Sequence, residues 1–135
     1  MKIEQKIIQE IISHAQQESP IEACGYLAGD GETISHSVRL HNIDQSTDHY
    51  SLEPAEQFNV VRELRNAGLR VMAVYHSHPA SPARMSAEDI RLAYDPDISY
   101  VIVSLQKDTT IKSFRVNDGV VYEEQLVTVR GGYNE

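Results

Sequence analysis

Near the start of the chain, Ile3, Ile7, Ile8, Ile11, Ile12 and Ala15 recur at helical spacing. That pattern predicts an amphipathic first helix, which must end before Pro20. Residues 24–28 form a short apolar run, and Asp30-Gly31 is a turn signal ahead of residues 33–40. Together they predict a hairpin that opens a sheet. The polar residues 42–49 read as a loop. A second helix is expected over about residues 54–67, with Pro54 at its first position, Phe58, Val61 and Leu64 as its apolar stripe, and Gly68 as its C-terminal cap. Residues 69–75 read as a buried strand, 79–85 as a loop, and 86–94 as a short helix stopped near Pro96. Residues 100–105 predict another buried strand. Residues 111–116 and 120–129 predict a hairpin around Asn117-Asp118-Gly119. Helix, hairpin, helix, strand, helix, strand, hairpin is the order of an α/β sandwich, a mixed sheet flanked by helices. The pattern places one domain over residues 1–130 and a flexible end over 131–135.

Composition narrows the functional classes. The chain has 135 residues, enough for one domain with a real core, and 41% are hydrophobic against 24% charged. No apolar run approaches the roughly 20 residues that span a bilayer, and the charged, amphipathic start does not read as a signal peptide. The single cysteine, Cys24, excludes an internal disulfide framework and any zinc site made from two or more cysteines of this chain. A reducing, cytoplasmic setting is the expectation. The net charge of −8 and scattered Lys and Arg offer no patch for nucleic acid or anionic lipid, so neither nucleic acid nor membrane is an expected partner.

The chemistry concentrates at His76-Ser77-His78-Pro79, directly after the 69–75 strand. Side chains alternate faces along a strand, so His76 and His78 point the same way and can chelate a metal. Asp89 follows His78 by eleven residues, in Ser86-Ala87-Glu88-Asp89. A helix starting at Ser86 holds Asp89 one turn in, able to face the histidines. Two histidines and a carboxylate make a three-ligand site with a fourth position open for water, the arrangement of a catalytic zinc. The same donors also suit iron or manganese. Ser-x-x-Asp is equally a helix capping box, with Ser86 as N-cap, and that backbone role is compatible with a role at a site. Glu22, just before the first short strand, is a candidate general base.

Pro20-x-Glu22-x-Cys24-Gly25-x-Leu27-x-Gly29, then His76-x-His78, seven residues, and Ser86-x-x-Asp89 together resemble the signature of the JAMM (MPN+) metallopeptidases, the JAB-domain family. The resemblance extends over nearly the whole chain and implies a cytidine-deaminase-like JAMM/MPN fold. It implies that His76, His78 and Asp89 bind one zinc ion per chain. It implies that Glu22 is the general base and that Ser86 hydrogen-bonds the developing oxyanion. The short chain is similar to the compact prokaryotic branch. That likeness implies hydrolysis of an amide or isopeptide bond at the C-terminal tail of a ubiquitin-like, sulfur-carrier protein. The same fold also includes non-catalytic binding modules for ubiquitin-like proteins and endopeptidases of cell-wall peptides.

The remaining reactive side chains read more plainly. Cys24 falls in a predicted buried strand and is expected to pack rather than react. A zinc deaminase needs a Pro-Cys-x-x-Cys partner, which one cysteine excludes. His14, His36, His41 and His49 are expected to be solvated or structural. His49 or Tyr50 is a candidate for the cleft lining, and Arg84 for contact with a substrate tail or for an exposed loop position. Gly131-Gly132 is expected to belong to the flexible end.

Overall fold

The computed structural model describes residues 1–130; the expectations for residues 131–135 lie outside them. The elements run β1 (Lys2–Glu4), α1 (Gln5–Glu18), β2 (Cys24–Gly29), β3 (Thr33–Leu40), α2 (Pro54–Asn66) and β4 (Arg70–His78). They continue as α3 (Ala87–Leu92), β5 (Ser99–Ser104), β6 (Thr110–Asn117), β7 (Val120–Glu124) and β8 (Val127–Val129). Among the described residues no helix is long and apolar enough to cross a membrane.

All the strands join one mixed sheet in the order β7-β6-β5-β4-β2-β3-β1-β8. The pairs β1/β3, β1/β8 and β4/β5 are parallel and the others antiparallel. The two edges, β7 and β8, are separated in sequence only by Gln125 and Leu126. Such a link reaches about 11 Å, whereas eight strands laid flat are roughly 34 Å across. The sheet therefore curls until its edges approach. On one face Ile7, Ile11 and Ala15 of α1 pack with Ile3, Leu27, Ile34, Tyr75, Val101 and Val103. On the other, Val74, Tyr100 and Val116 pack with Ala93, Met85 and Ile90 from the α3 region. α2 lies on this second face, where Gln57 donates to the Tyr26 hydroxyl at 2.9 Å. β5 is buried along its whole length, as expected of a strand covered on both sides.

Several boundaries differ from the pattern reading. Residues 2–4 form a strand rather than the first turn of the helix, paired with both β3 and β8. Ile3 sits four positions before Ile7, so its burial satisfies strand and helix periodicity equally. The 120–129 strand is two strands, because Met1 captures the chain between them. Its amino group donates to the Gln125 carbonyl at 2.8 Å, and Val127 N donates to the Met1 carbonyl at 2.9 Å. α3 stops at Leu92, leaving Tyr94 exposed. β4 extends through His78, so the histidine pair lies within the strand. Phe58 is 66% exposed instead of lining the apolar stripe of α2, while Leu64 is buried. Six residues at about 100° each set Phe58 about 120° round the helix from Leu64, where the Arg62 guanidinium covers its ring.

Candidate metal centre

The parallel pairing of β4 with β5 and the antiparallel pairing with β2 make β4 a central strand, and its C-terminal end carries the site. His76 and His78 project to the same face and are almost fully buried. Their Nε2 atoms lie 3.1 Å apart. Asp89 enters from the first turn of α3, placing Oδ1 3.2 Å from His76 Nε2 and Oδ2 3.0 Å from His78 Nε2. The donors of a tetrahedral zinc with metal–ligand bonds near 2.1 Å stand about 3.4 Å apart. Two imidazole nitrogens and a carboxylate thus converge at the spacing of a coordination triangle, and the donor set fits a divalent cation.

The surroundings fix these donors. His78 Nδ1 is 2.8 Å from the Pro82 carbonyl, which can only accept. Nδ1 therefore carries a proton in either state of the ring: His78 donates from Nε2 to Asp89 Oδ2 when that nitrogen is also protonated, and would offer the Nε2 lone pair to a metal once it is not. The Tyr50 ring stacks on His76, with centroids 4.9 Å apart and planes 30° apart, and blocks rotation of that imidazole. Burial works to lower the His78 pKa, but the Asp89 carboxylate and the Pro82 carbonyl outweigh it and raise it. Burial works to raise the Asp89 pKa, and hydrogen bonds from both histidines overcome it and hold the carboxyl well below its usual range.

The capping box and the site share atoms. Ser86 Oγ accepts from Asp89 N at 3.0 Å, while Ser86 N donates to Asp89 Oδ2 at 3.0 Å. The cap orients the carboxylate toward the histidines. Because Oγ accepts in this bond, its own O–H stays available to donate elsewhere.

Glu22 is 97% buried, since only 3% of it remains exposed. Its Oε1 has no hydrogen-bond partner among the described residues. Burial pushes its carboxyl up to about 8, with the His78 charge opposing and the Asp89 and Asp48 charges adding. Glu22 is held beside β4 by its neighbours: Ala23 N donates to Ser77 Oγ at 2.8 Å and Ser77 N to the Ala23 carbonyl at 2.9 Å. Cys24 pairs directly with His76 across the two strands, yet its thiol is fully buried, donates to the Leu40 carbonyl and is pushed up to about 12. It is a packing residue with no thiolate to offer.

A recess of about 20 Å³ beside the triad, room for about one water, is lined by residues including Tyr50, His49, Met85 and Glu88. Tyr50, Leu92 and Tyr100 also line a wider groove of about 380 Å³. The candidate lining residues are therefore at the cleft. The other histidines are structural or exposed: buried His14 bonds the Tyr75 hydroxyl at 2.6 Å, His36 contacts Ser35 and His41 pairs with Glu56. Arg84 is exposed on the loop before Ser86. The Pro82 carbonyl is the contributor that residue types could not reveal, because any residue supplies a carbonyl.

The family model described as prokaryotic homologs of the JAB domain matches residues 4–117. The CysO-cysteine peptidase of Mycobacterium tuberculosis is 34% identical over 127 residues, covering 91% of this chain and 87% of that protein. A desampylase of Haloferax volcanii is 34% identical over 101 residues, covering 70% and 73%. The solution structure of a Desulfitobacterium hafniense protein superposes with a TM-score of 0.87 at 40% identity, over 96% of this chain and 93% of that one.

Proposed function

The chain belongs to the family of prokaryotic JAB-domain proteins, and on that premise we propose that it is a zinc-dependent peptidase acting on the C-terminal tail of a ubiquitin-like sulfur-carrier protein. The bond it hydrolyses is the amide that joins the carrier's last residue to an amino acid or a protein. Relatives of similar length named CysO-cysteine peptidase and desampylase support this substrate class. The observation that carries the reading is the convergence of His76, His78 and Asp89 at coordination spacing, with a buried Glu22 carboxyl whose charge couples to His78 and Asp89.

In this reading His76 Nε2, His78 Nε2 and an Asp89 oxygen hold the ion. Bound zinc supplies a Lewis acid and lowers the pKa of water at the open position to about 7. Glu22 takes the proton of the attacking water and passes it to the leaving amine nitrogen. Its carboxyl, pushed up to about 8 by burial in the metal-free protein, would be drawn down toward the base form by a neighbouring cation. Ser86 donates its free O–H to the oxygen of the tetrahedral intermediate. Pro82 and Tyr50 keep the two imidazoles in place. The open groove along Tyr50, Leu92 and Tyr100 gives an extended tail a path to the site.

The test combines metal analysis with cleavage. Protein purified without added metal is expected to carry about one zinc per chain, and His78→Ala little. Carrier–amino acid and carrier–protein conjugates are then followed by mass spectrometry. Glu22→Ala should keep its zinc and lose cleavage by at least a hundredfold. A wild type that binds carrier tails with zinc present and yields no product would replace this reading with that of a binding module.

A further inference from the structure

Glu22 precedes β2, which begins at Cys24, so the sheet ladder does not fix its main chain. Both its backbone groups bond instead to the loop between β3 and α2. Glu22 N donates to the Ser46 carbonyl at 2.9 Å, and the Glu22 carbonyl accepts from Asn42 Nδ2 at 3.0 Å. Asn42 organises the rest of that loop. Its Nδ2 also donates to the His49 carbonyl at 3.0 Å, and its Oδ1 accepts from Asp44 N at 3.1 Å and Ser51 N at 3.3 Å. Two carbonyls facing Nδ2 and two amides facing Oδ1 leave one possible orientation of the side chain. Ile43 N to the Ser51 carbonyl at 3.1 Å and Asp44 to both His49 and Ser51 close the loop on itself. The stapled segment ends at Tyr50, whose ring lies on His76.

We propose that Asn42 is a positioning residue that sets the Glu22 carboxylate relative to the metal triad, by tying the Glu22 carbonyl to the loop that also carries Tyr50. The proposal rests on Glu22 being the base, as proposed above. One amide side chain then couples the place of the proton carrier to the ring that immobilises His76. Without it, Glu22 keeps a single main-chain bond to the loop, and the loop loses three of its own bonds, to the His49 carbonyl and to the Asp44 and Ser51 amides. A displacement of about 1 Å at a reacting group is enough to cost about a hundredfold in rate.

The test uses Asn42→Ala and Asn42→Asp in the full chain. Aspartate is isosteric and keeps the acceptor half, so the amides of Asp44 and Ser51 remain satisfied while the ties to the Glu22 and His49 carbonyls are lost. Both variants should hold one zinc per chain, with kcat on a carrier conjugate reduced about 10- to 100-fold and KM within about twofold. In a Glu22→Gln background the Asn42→Ala substitution should change the residual rate less than threefold, because its effect passes through Glu22. Hydrogen exchange supplies a readout independent of cleavage: the Glu22 amide should exchange at least tenfold faster in Asn42→Ala, with amides inside β4 and β5 unchanged. Wild-type kcat in Asn42→Asp, or a rate loss matched by an equal loss of zinc, overturns the proposal. If the wild type cleaves no conjugate, the peptidase reading fails by itself, and an unchanged Glu22 amide then removes the tie as well.

Discussion

Placing a carboxyl in the β-sheet interior has a pH signature in the metal-free protein, and Glu22→Gln isolates it. The ordinary pKa of Glu22 is 4.5 and burial raises it to about 8 in the folded chain. Between those values the native state holds a proton that the unfolded chain has released, so stability falls as pH rises. The contribution is fully present below pH 4.5 and is lost up to pH 8. Integrating the two titrations gives a loss of about 3 to 4 kcal/mol between pH 5 and pH 8. Glutamine has nearly the same shape and no charge, so the variant lacks this loss. Most of the titration of His78 and Asp89 is common to both proteins and cancels; what remains in the difference is their charge coupling to Glu22. The assay is urea unfolding in a chelator at pH 5 and pH 8 for both proteins. With a slope near 2 kcal/mol/M, the gap between their midpoints should widen by roughly 2 M in favour of Glu22→Gln at the higher pH. Saturating zinc should shrink that widening, because the added positive charge lowers the Glu22 pKa. A midpoint gap that stays constant with pH would refute the claim that Glu22 is buried with a raised pKa.

Three further outcomes test the surrounding structure. Ser86→Ala should lose about 1 kcal/mol of stability through the helix cap and about a hundredfold or more in kcat. Ser86→Asp should restore the stability alone, since aspartate caps a helix and offers no hydroxyl, as calorimetry and kinetics together would register. Tyr75→Phe leaves the Nδ1 of buried His14 without its 2.6 Å partner and should cost about 1–3 kcal/mol in denaturant unfolding, with zinc content unchanged. Gly25→Ala places a Cβ 2.4 Å from the Val38 carbonyl and 2.3 Å from Tyr75 Cε2, and should lower stability by about 1–3 kcal/mol or more, read from thermal unfolding.

Elements whose residues interact at short range are legible in the order of residue types alone. The isoleucine repeat of α1 from Ile7 onward, the Asp30-Gly31 and Asp118-Gly119 turns, Pro54 at the start of α2 and the Ser86–Asp89 cap are all short-range patterns, and each forms at its expected place. His76-x-His78 was legible for the same reason, because strand alternation alone puts both rings on one face. Tertiary structure decided what depends on distant partners. β1 became a strand because β3 and β8 lie on either side of it, and the 120–129 segment broke because the N-terminus docks at Gln125. The capping role of Asp89 follows from its spacing, whereas the approach of its carboxylate to within 3.0 Å of His78 Nε2 depends on the fold. Glu22 is singled out by the family resemblance alone; its burial, its raised pKa and the loop that holds it come from chain segments up to more than fifty residues away, contacts that no local pattern of residue types encodes.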